Sequence, residues 1–193
     1  ARCGHLVARR RRRVLSAVTI RAPRYRAHAP LVIRRPPEGA AGRAIFDRAE
    51  AVTGLPLKRL CFDGPQEELE RTDICQPAIF TVSAAMLAHL DCFLGPAQVE
   101  ALRPAFMAGL SLGEYTALYA ADMIDFDDCL RLVARRGADM QAAATAVPSG
   151  MVCILGLEEA KAGELARAAG NGDPLSCANF NCPGQVVLSG TAD

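Results

Sequence analysis

A serine lies between two glycines in the run Met107-Ala-Gly-Leu-Ser-Leu-Gly-Glu-Tyr115. At this Gly-x-Ser-x-Gly spacing a strand turns sharply into a helix at the serine, and the glycines leave room for the strained turn. Pro104 to Ala108 is a short apolar stretch typical of a strand, and Glu114 to Ala121 is typical of a helix. The segment therefore predicts strand, turn and helix, with the hydroxyl of Ser111 at the helix N-terminus.

The chemistry expected at this turn is attack of Ser111 Oγ on a carbonyl carbon. The backbone N–H of Leu112, at the positive end of the helix, would meet the negative charge that develops on the attacked oxygen. A serine hydroxyl is a weak nucleophile until a base takes its proton, so the mechanism needs a histidine within hydrogen-bond reach. A tight turn with a solvated serine has the same spacing, and the motif alone leaves that alternative open.

Other motifs occur in a fixed order around the serine. They are Phe62-Asp-Gly-Pro-Gln-Glu-Glu-Leu69 followed by Arg71-Thr-Asp-Ile-Cys-Gln-Pro77, then Leu132-Val-Ala-Arg-Arg-Gly-Ala-Asp-Met-Gln141, and Ala178-Asn-Phe-Asn-Cys-Pro-Gly-Gln-Val-Val-Leu-Ser-Gly190. Together with the serine segment they resemble the malonyl-CoA:acyl-carrier-protein transacylases over about residues 42 to 193. The resemblance implies an α/β fold: an acyltransferase-type α/β-hydrolase-like core with an inserted ferredoxin-like subdomain, here truncated at both ends.

The resemblance also implies an activity. A malonyl group would pass from malonyl-CoA to the phosphopantetheine thiol of acyl carrier protein through a Ser111 ester, in fatty-acid or polyketide synthesis. Arg136 would hold the malonyl carboxylate, since a guanidinium can donate two charge-assisted hydrogen bonds to it. No metal or redox cofactor is implied. From the residues alone, a solvated helix face formed by Arg135 and Arg136 is the favoured interpretation; the resemblance reverses it for Arg136 and leaves Arg135 on the surface.

Three amides are weaker candidates for substrate binding. By resemblance, Gln76 lies near the floor of the site, and Asn179 and Asn181 lie at the subdomain edge that faces the cleft. There they could contact thioester or pantetheine groups. Helix capping by Gln76 and turn capping by Asn181 are the alternatives.

The chain departs from the family at two points. Leu110 stands where the family has a histidine directly before the serine. The family's catalytic base comes from a later segment, and none of His5, His28 and His89 fits that role, so the chain as it stands is expected to be inactive. His89 is expected to be an ordinary helix histidine.

Charge is distributed unevenly. Residues 1 to 35 hold 11 arginines and no acidic residue, which leaves 11 basic against 21 acidic residues in the rest of the chain. Nucleic-acid binding is disfavoured, because no aromatic platform or reading helix accompanies the arginines. An organelle transit peptide is an alternative. The favoured interpretation is a leader that is not the natural start, because the family opens with an apolar strand and a G-Q-G-x-Q loop.

These patterns predict a leader at 1–41, a partial α/β core at 42–148 and a partial ferredoxin-like subdomain at 149–193. In the core we expect a helix over 42–54, an apolar linker from Leu57 to Phe62, a long helix that Pro77 opens, and a helix from Asp125 to about Ala146. The apolar positions of this last helix are Cys129, Leu130, Leu132, Val133 and Met140. In the subdomain we expect the order β-α-β-β, with a hairpin turn at Asn181-Cys-Pro-Gly184.

Composition limits the remaining classes. No uninterrupted apolar run reaches the roughly 18 residues of a membrane span, so we expect a cytoplasmic monomer that binds neither membrane nor nucleic acid. The mitochondrial matrix or a plastid is the alternative location. The eight cysteines show no C-x-x-C, so zinc is not expected and most thiols should be reduced and buried. Rival functions are an α/β-hydrolase-type esterase and a non-catalytic remnant that binds carrier protein.

Overall fold

The computed structural model describes residues 7–9, 39–94, 96–101 and 104–191, which form an α/β fold. One unit comprises His5–Gln141, and the other comprises Ala142–Asp193 with Ala1–Gly4. Most of the predicted leader, and with it His5 and His28, lies outside the described residues. In chain order the elements are β1 Val7–Arg9, α1 Ala40–Thr53, α2 Leu57–Asp63, α3 Gln66–Glu70, α4 Thr72–Phe93, α5 Pro96–Ala101, β2 Phe106–Ala108, α6 Leu112–Ala120, α7 Phe126–Ala146, β3 Ser149–Leu155, α8 Glu159–Gly170, β4 Leu175–Cys182 and β5 Gln185–Thr191.

Helix α4 is the centre of the first unit. The fully buried Phe80 of α4 lies 5.7 Å from both Tyr119 of α6 and Phe126 of α7, measured between ring centroids. Each large apolar side chain buried in this way contributes roughly 1.5–3 kcal/mol. Buried residues of α1, α2, α3 and α7 complete the core: Phe46, Ala49, Leu57, Leu60, Leu69, Cys129, Leu130 and Val133. The packing of α4 against α6 and α7 sets where the serine turn lies.

The apolar composition of α4 also fits a membrane-spanning helix. Among the described residues, the window Thr72–Leu90 is long and apolar enough to cross a membrane. However, Phe80, Thr81 and Ala84 within it are completely buried in the core. The central helix of a folded core explains the composition equally well.

The predicted start of α4 is wrong. The helix begins at Thr72 and not at Pro77, which lies in its second turn and is fully buried. A proline there loses the one backbone hydrogen bond to the carbonyl of Asp73. The buried side chains of Ile74 and Cys75 stabilise the turn before it.

The predicted linker from Leu57 to Phe62 is also wrong, since helix α2 occupies it. Leu57, Leu60 and Cys61 are buried at helical spacing, a pattern that is ambiguous in so short a run. By contrast, the predicted helix before it is confirmed. It ends at Gly54, whose φ of 70° is the left-handed conformation typical of a helix end.

Helix α7 follows the prediction from Asp125 to Ala146 closely. Cys129, Leu130 and Val133 are buried as expected. Leu132 is 50% exposed and Met140 is 44% exposed, so neither of these two expected apolar positions lies in the core. Met140 contacts a site residue, as described below.

The second unit has the predicted β-α-β-β order. Its antiparallel sheet has the strand order β3-β5-β4, and Ala162 and Ala166 of α8 pack on Val186 and Leu188 of β5. Strand β4 extends to Cys182, so the hairpin turn is shorter than the predicted four residues.

The cysteines divide into buried and exposed thiols, and the six whose side chains the structure describes are free. Cys61, Cys75 and Cys129 are buried as predicted, and burial raises the pKa of the Cys61 and Cys129 thiols to about 12. The prediction is wrong for Cys153 and Cys182, which are exposed: Cys153 lies on β3, at the edge of its sheet, and Cys182 ends β4 at the hairpin.

Thiol labelling checks this division. Because the thiolate is the reactive form, a disulfide reagent at about pH 8 should label Cys153 and Cys182 in the native chain and Cys61 and Cys129 only after unfolding. Peptide mapping by mass spectrometry with and without denaturant gives the result. Prompt labelling of Cys61 in the native chain would contradict the buried core.

Candidate active site

The serine turn has the predicted strand, turn and helix. Ser111 follows β2 and precedes α6, with φ 54° and ψ −116°. This conformation is sparsely populated for a residue with a side chain and costs roughly 1–3 kcal/mol. The side chain is exposed. The backbone therefore holds the hydroxyl out from the turn, at the start of a helix.

Gly109 makes this turn possible. A Cβ atom on Gly109 would lie 1.9 Å from the carbonyl carbon of Gly113 and 2.4 Å from the nitrogen of Glu114. The backbone before the serine thus passes directly against the first turn of α6. A Cβ atom on Gly113 would meet no atom within 4 Å, so the two glycines of the motif are not equivalent.

Alanine at each glycine tests the turn. Gly109→Ala should destabilise the protein by about 2–4 kcal/mol, because the backbone atoms it meets cannot move aside as a side chain would. That loss lowers Tm by roughly 5–15 °C. Gly113→Ala is the matched control and should stay within about 1 kcal/mol of the parent, since alanine favours the helix. Equal Tm values for the two variants, measured by calorimetry, would contradict the close approach at Gly109.

The N-terminus of α6 offers a backbone donor beside the serine. The N–H of Gly113 donates to the carbonyl of Leu110 at 2.9 Å, and the N–H of Glu114 donates to the carbonyl of Ser111 at 3.1 Å. Leu112 is the first residue of the helix, where the N–H group has no acceptor within the helix and the helix dipole favours negative charge. The predicted oxyanion donor therefore lies directly after the serine in a suitable position.

Arg136 lies against the serine. From helix α7, its Nη2 donates to Ser111 Oγ at 2.7 Å, and its Nη1 donates to Gln76 Oε1 on α4. Arg135, the neighbour in sequence, is exposed and pairs with Asp139 at 2.9 Å. The structure thus brings Ser111, Gln76 and Arg136 together and leaves Arg135 on the surface.

Helices α4 and α7 approach each other closely, which brings the side chains of Gln76 and Arg136 within hydrogen-bond distance. A Cβ atom on Gly137 would lie 2.8 Å from the carbonyl oxygen of Thr72, so the glycine lets the two backbones approach. The N–H of Thr72 donates to Gln141 Oε1 at 3.0 Å. Gln141 of α7 thus accepts from the first turn of α4.

Two residues of the site were not predicted. The guanidinium carbon of Arg136 lies 5.9 Å from the ring centroid of Tyr115, within the range of a cation–π contact. The Sδ atom of Met140 accepts from Gln76 Nε2 at 3.3 Å. A weak signal was present for Met140, because it follows Arg136 by four residues on α7, the spacing that puts two side chains on one helix face.

Other candidates lie elsewhere. His89 is exposed and stacks on Phe93, about 20 Å along α4 from Gln76 at the helical rise per residue. It is therefore no part of this cluster, as expected. Asn179 and Asn181 are half-buried on β4 of the second unit, where the pairing register with β5 shifts. Their role in the site stays a prediction.

A strained serine between a strand and a helix, with a guanidinium at its hydroxyl, has the strand-turn-helix geometry on which several classes of α/β protein are built. The chain belongs to the acyl transferase domain family, whose pattern matches residues 39–193. The resemblance inferred from its motifs is confirmed.

Individual relatives agree with this assignment. The malonyl CoA-acyl carrier protein transacylase of Escherichia coli (strain K12) is 43% identical over 145 residues, which are 75% of this chain and 45% of that protein. The crystal structure of acyl-carrier-protein S-malonyltransferase from Burkholderia pseudomallei 1710b matches with a TM-score of 0.69 at 36% identity, over 80% of this chain and 48% of that one. A structure described as a type II PKS acyl-carrier protein in complex with its malonyl-transacylase also matches, with a TM-score of 0.69 at 36% identity, over 80% of this chain and 48% of the matched chain. The chain spans about half the length of these relatives.

Proposed function

We propose that this protein transfers a malonyl group from coenzyme A to the phosphopantetheine thiol of an acyl carrier protein, in fatty-acid or polyketide synthesis. The contact of Arg136 Nη2 with Ser111 Oγ at 2.7 Å carries the proposal. A malonyl ester on Ser111 ends in a carboxylate two carbons beyond the ester carbonyl. A cation fixed beside Oγ is within reach of that carboxylate, so the site suits a diacid better than a simple acyl group.

The reaction has two exchanges at one carbon. Ser111 Oγ bonds to the malonyl carbonyl carbon, the carbon–sulfur bond breaks, and coenzyme A leaves as a thiol with the proton that the serine gives up to a base. The carrier thiol then attacks the ester, and Ser111 regains a proton. The backbone N–H of Leu112 would stabilise the oxyanion in both steps, because the developing charge lies at the start of α6.

The role of Arg136 changes during this cycle. In the structure, Nη2 donates a hydrogen bond to the serine hydroxyl, and the guanidinium lies over the ring of Tyr115. A malonyl carboxylate would replace Ser111 Oγ as the acceptor at Nη2, because charge-assisted bonds to a carboxylate are stronger than one to a neutral hydroxyl. Binding of the diacid would thereby free Oγ for attack.

The second unit would belong to the same enzyme as an inserted ferredoxin-like subdomain. The β-α-β-β order and the strand order β3-β5-β4 support this, since a ferredoxin-like unit begins in that way. Asn179 and Asn181 would contact the thioester or pantetheine from its edge. The match to a relative in complex with an acyl-carrier protein supports the partner. A cytoplasmic location and a monomeric state stay predictions.

Acyl-enzyme formation tests the proposal. The full-length protein is incubated with malonyl-CoA, and intact-mass and peptide mass spectrometry locate the adduct, which we expect on Ser111. Transfer to a carrier protein that bears phosphopantetheine is measured next, beside hydrolysis of a p-nitrophenyl ester. Ester hydrolysis without malonyl transfer would favour the esterase alternative, and carrier binding without an adduct would favour the non-catalytic one.

A further inference from the structure

Gln76 is almost completely buried, with 6% of its surface exposed, and both ends of its amide are occupied by protein atoms. Its Oε1 accepts from Arg136 Nη1, and its Nε2 donates to Met140 Sδ at 3.3 Å. A buried amide left without partners would cost roughly 1–3 kcal/mol, so these contacts explain why a polar side chain is tolerated there. Neither end points to a need for substrate.

We infer that Gln76 is a positioning residue for Arg136, and not a substrate-binding residue as the sequence resemblance implied. The inference rests on the proposed malonyl transfer. Gln76 ties one arm of the guanidinium to α4, which leaves Nη2 directed at Ser111 Oγ, 2.7 Å away. The amide therefore determines where the malonyl carboxylate is held relative to the nucleophile.

Met140 determines which way the amide faces. The amide oxygen must point at a guanidinium donor, and the sulfur is a weak acceptor that suits the NH₂ end. Met140 follows Arg136 by one helical turn on α7, so both partners of Gln76 come from one helix face. The amide is thereby fixed between two residues of α7, and the Arg136 side chain loses the freedom to turn away from the serine.

The experiment compares malonyl-CoA with acetyl-CoA as acyl donors to Ser111 in the full-length protein. Gln76→Leu has a similar volume and accepts no hydrogen bond. It should lower kcat/KM for malonyl-CoA roughly 10-fold, as loss of a hydrogen bond to a charged group does, and leave acetyl-CoA nearly unchanged. Gln76→Glu keeps the size and the acceptor, but its carboxylate competes with the malonyl carboxylate for Arg136. It should therefore also lower the preference for malonyl-CoA over acetyl-CoA. This variant replaces Gln76→Leu if the leucine variant does not fold.

Two controls separate positioning from a general structural role. In an Arg136→Ala background, Gln76→Leu should cause no further change in the malonyl-to-acetyl ratio, because it acts through the guanidinium. Gln141→Leu removes the hydrogen bond from the Thr72 N–H between the same two helices, and should lower Tm while leaving the ratio unchanged.

Several results would overturn the inference. Equal losses for malonyl-CoA and acetyl-CoA in the Gln76 variants, or a ratio change that persists without Arg136, would show that Gln76 acts in some other way, although malonyl transfer itself would stand. A wild-type protein that forms no malonyl ester would overturn the proposed function, and the inference with it.

Discussion

Ser111→Ala is expected to abolish formation of the malonyl-enzyme in the full-length protein. The variant lacks the oxygen on which the proposed ester forms, at the side chain that contacts the Arg136 guanidinium. Removal of the nucleophile from a serine acyl-enzyme typically lowers kcat by roughly 10⁴-fold or more. Mass spectrometry after exposure to malonyl-CoA, together with the rate of transfer to a carrier protein, measures the loss.

The substitution should leave the fold intact, which makes the result interpretable. Ser111 makes no capping hydrogen bond to α6, and alanine at φ 54° carries about the same backbone strain as serine. An unchanged Tm by calorimetry is therefore the control. A malonyl adduct that persists in Ser111→Ala, or one found at another residue in the wild type, would refute the assignment of the nucleophile.

Much of the local structure could be predicted from the sequence. The spacing around Ser111 predicted the strand, the turn and the helix, because a strained turn between glycines has few alternatives. The β-α-β-β order after Ser149 followed from alternating apolar residues and turn signals. Helix ends marked by glycine, such as Gly54, were also predicted, since only glycine adopts the left-handed conformation without strain.

Failures of prediction came from interactions between elements distant in sequence. The periodicity of a helix shows which residues share a face, but it does not show which helix that face meets. Gln76 and Arg136 lie 60 residues apart, and their contact depends on the close approach that Gly137 allows. Leu132 is apolar yet exposed, because the buried face of α7 is the one that carries Cys129 and Val133. Pro77 resembled a helix start because the buried turn that precedes it has no separate signal.

The role of Arg136 shows how sequence and structure combine. The residues alone gave no reason to prefer Arg136 over Arg135, and the family resemblance supplied the choice. The structure supports that choice on independent grounds, since Arg136 reaches the serine while Arg135 pairs with Asp139 in solvent. Two adjacent arginines on one helix thus offer a matched pair of variants.

Arg136→Ala should lower malonyl transfer and leave acetyl transfer unchanged or raised, because in the proposed reaction the guanidinium binds the carboxylate and not the thioester. A charge-assisted interaction of this kind is worth roughly 2–4 kcal/mol, which predicts about a 30- to 1000-fold fall in kcat/KM for malonyl-CoA. Arg135→Ala removes the same charge one residue away and should change neither rate by more than about 2-fold, since exposed ion pairs contribute little. Single-turnover acylation with each donor gives the rates. Parallel losses for both donors in Arg136→Ala would identify a structural arginine. If Arg135→Ala lost as much malonyl transfer as Arg136→Ala, the charge would act at long range and not through the 2.7 Å contact with Ser111 Oγ.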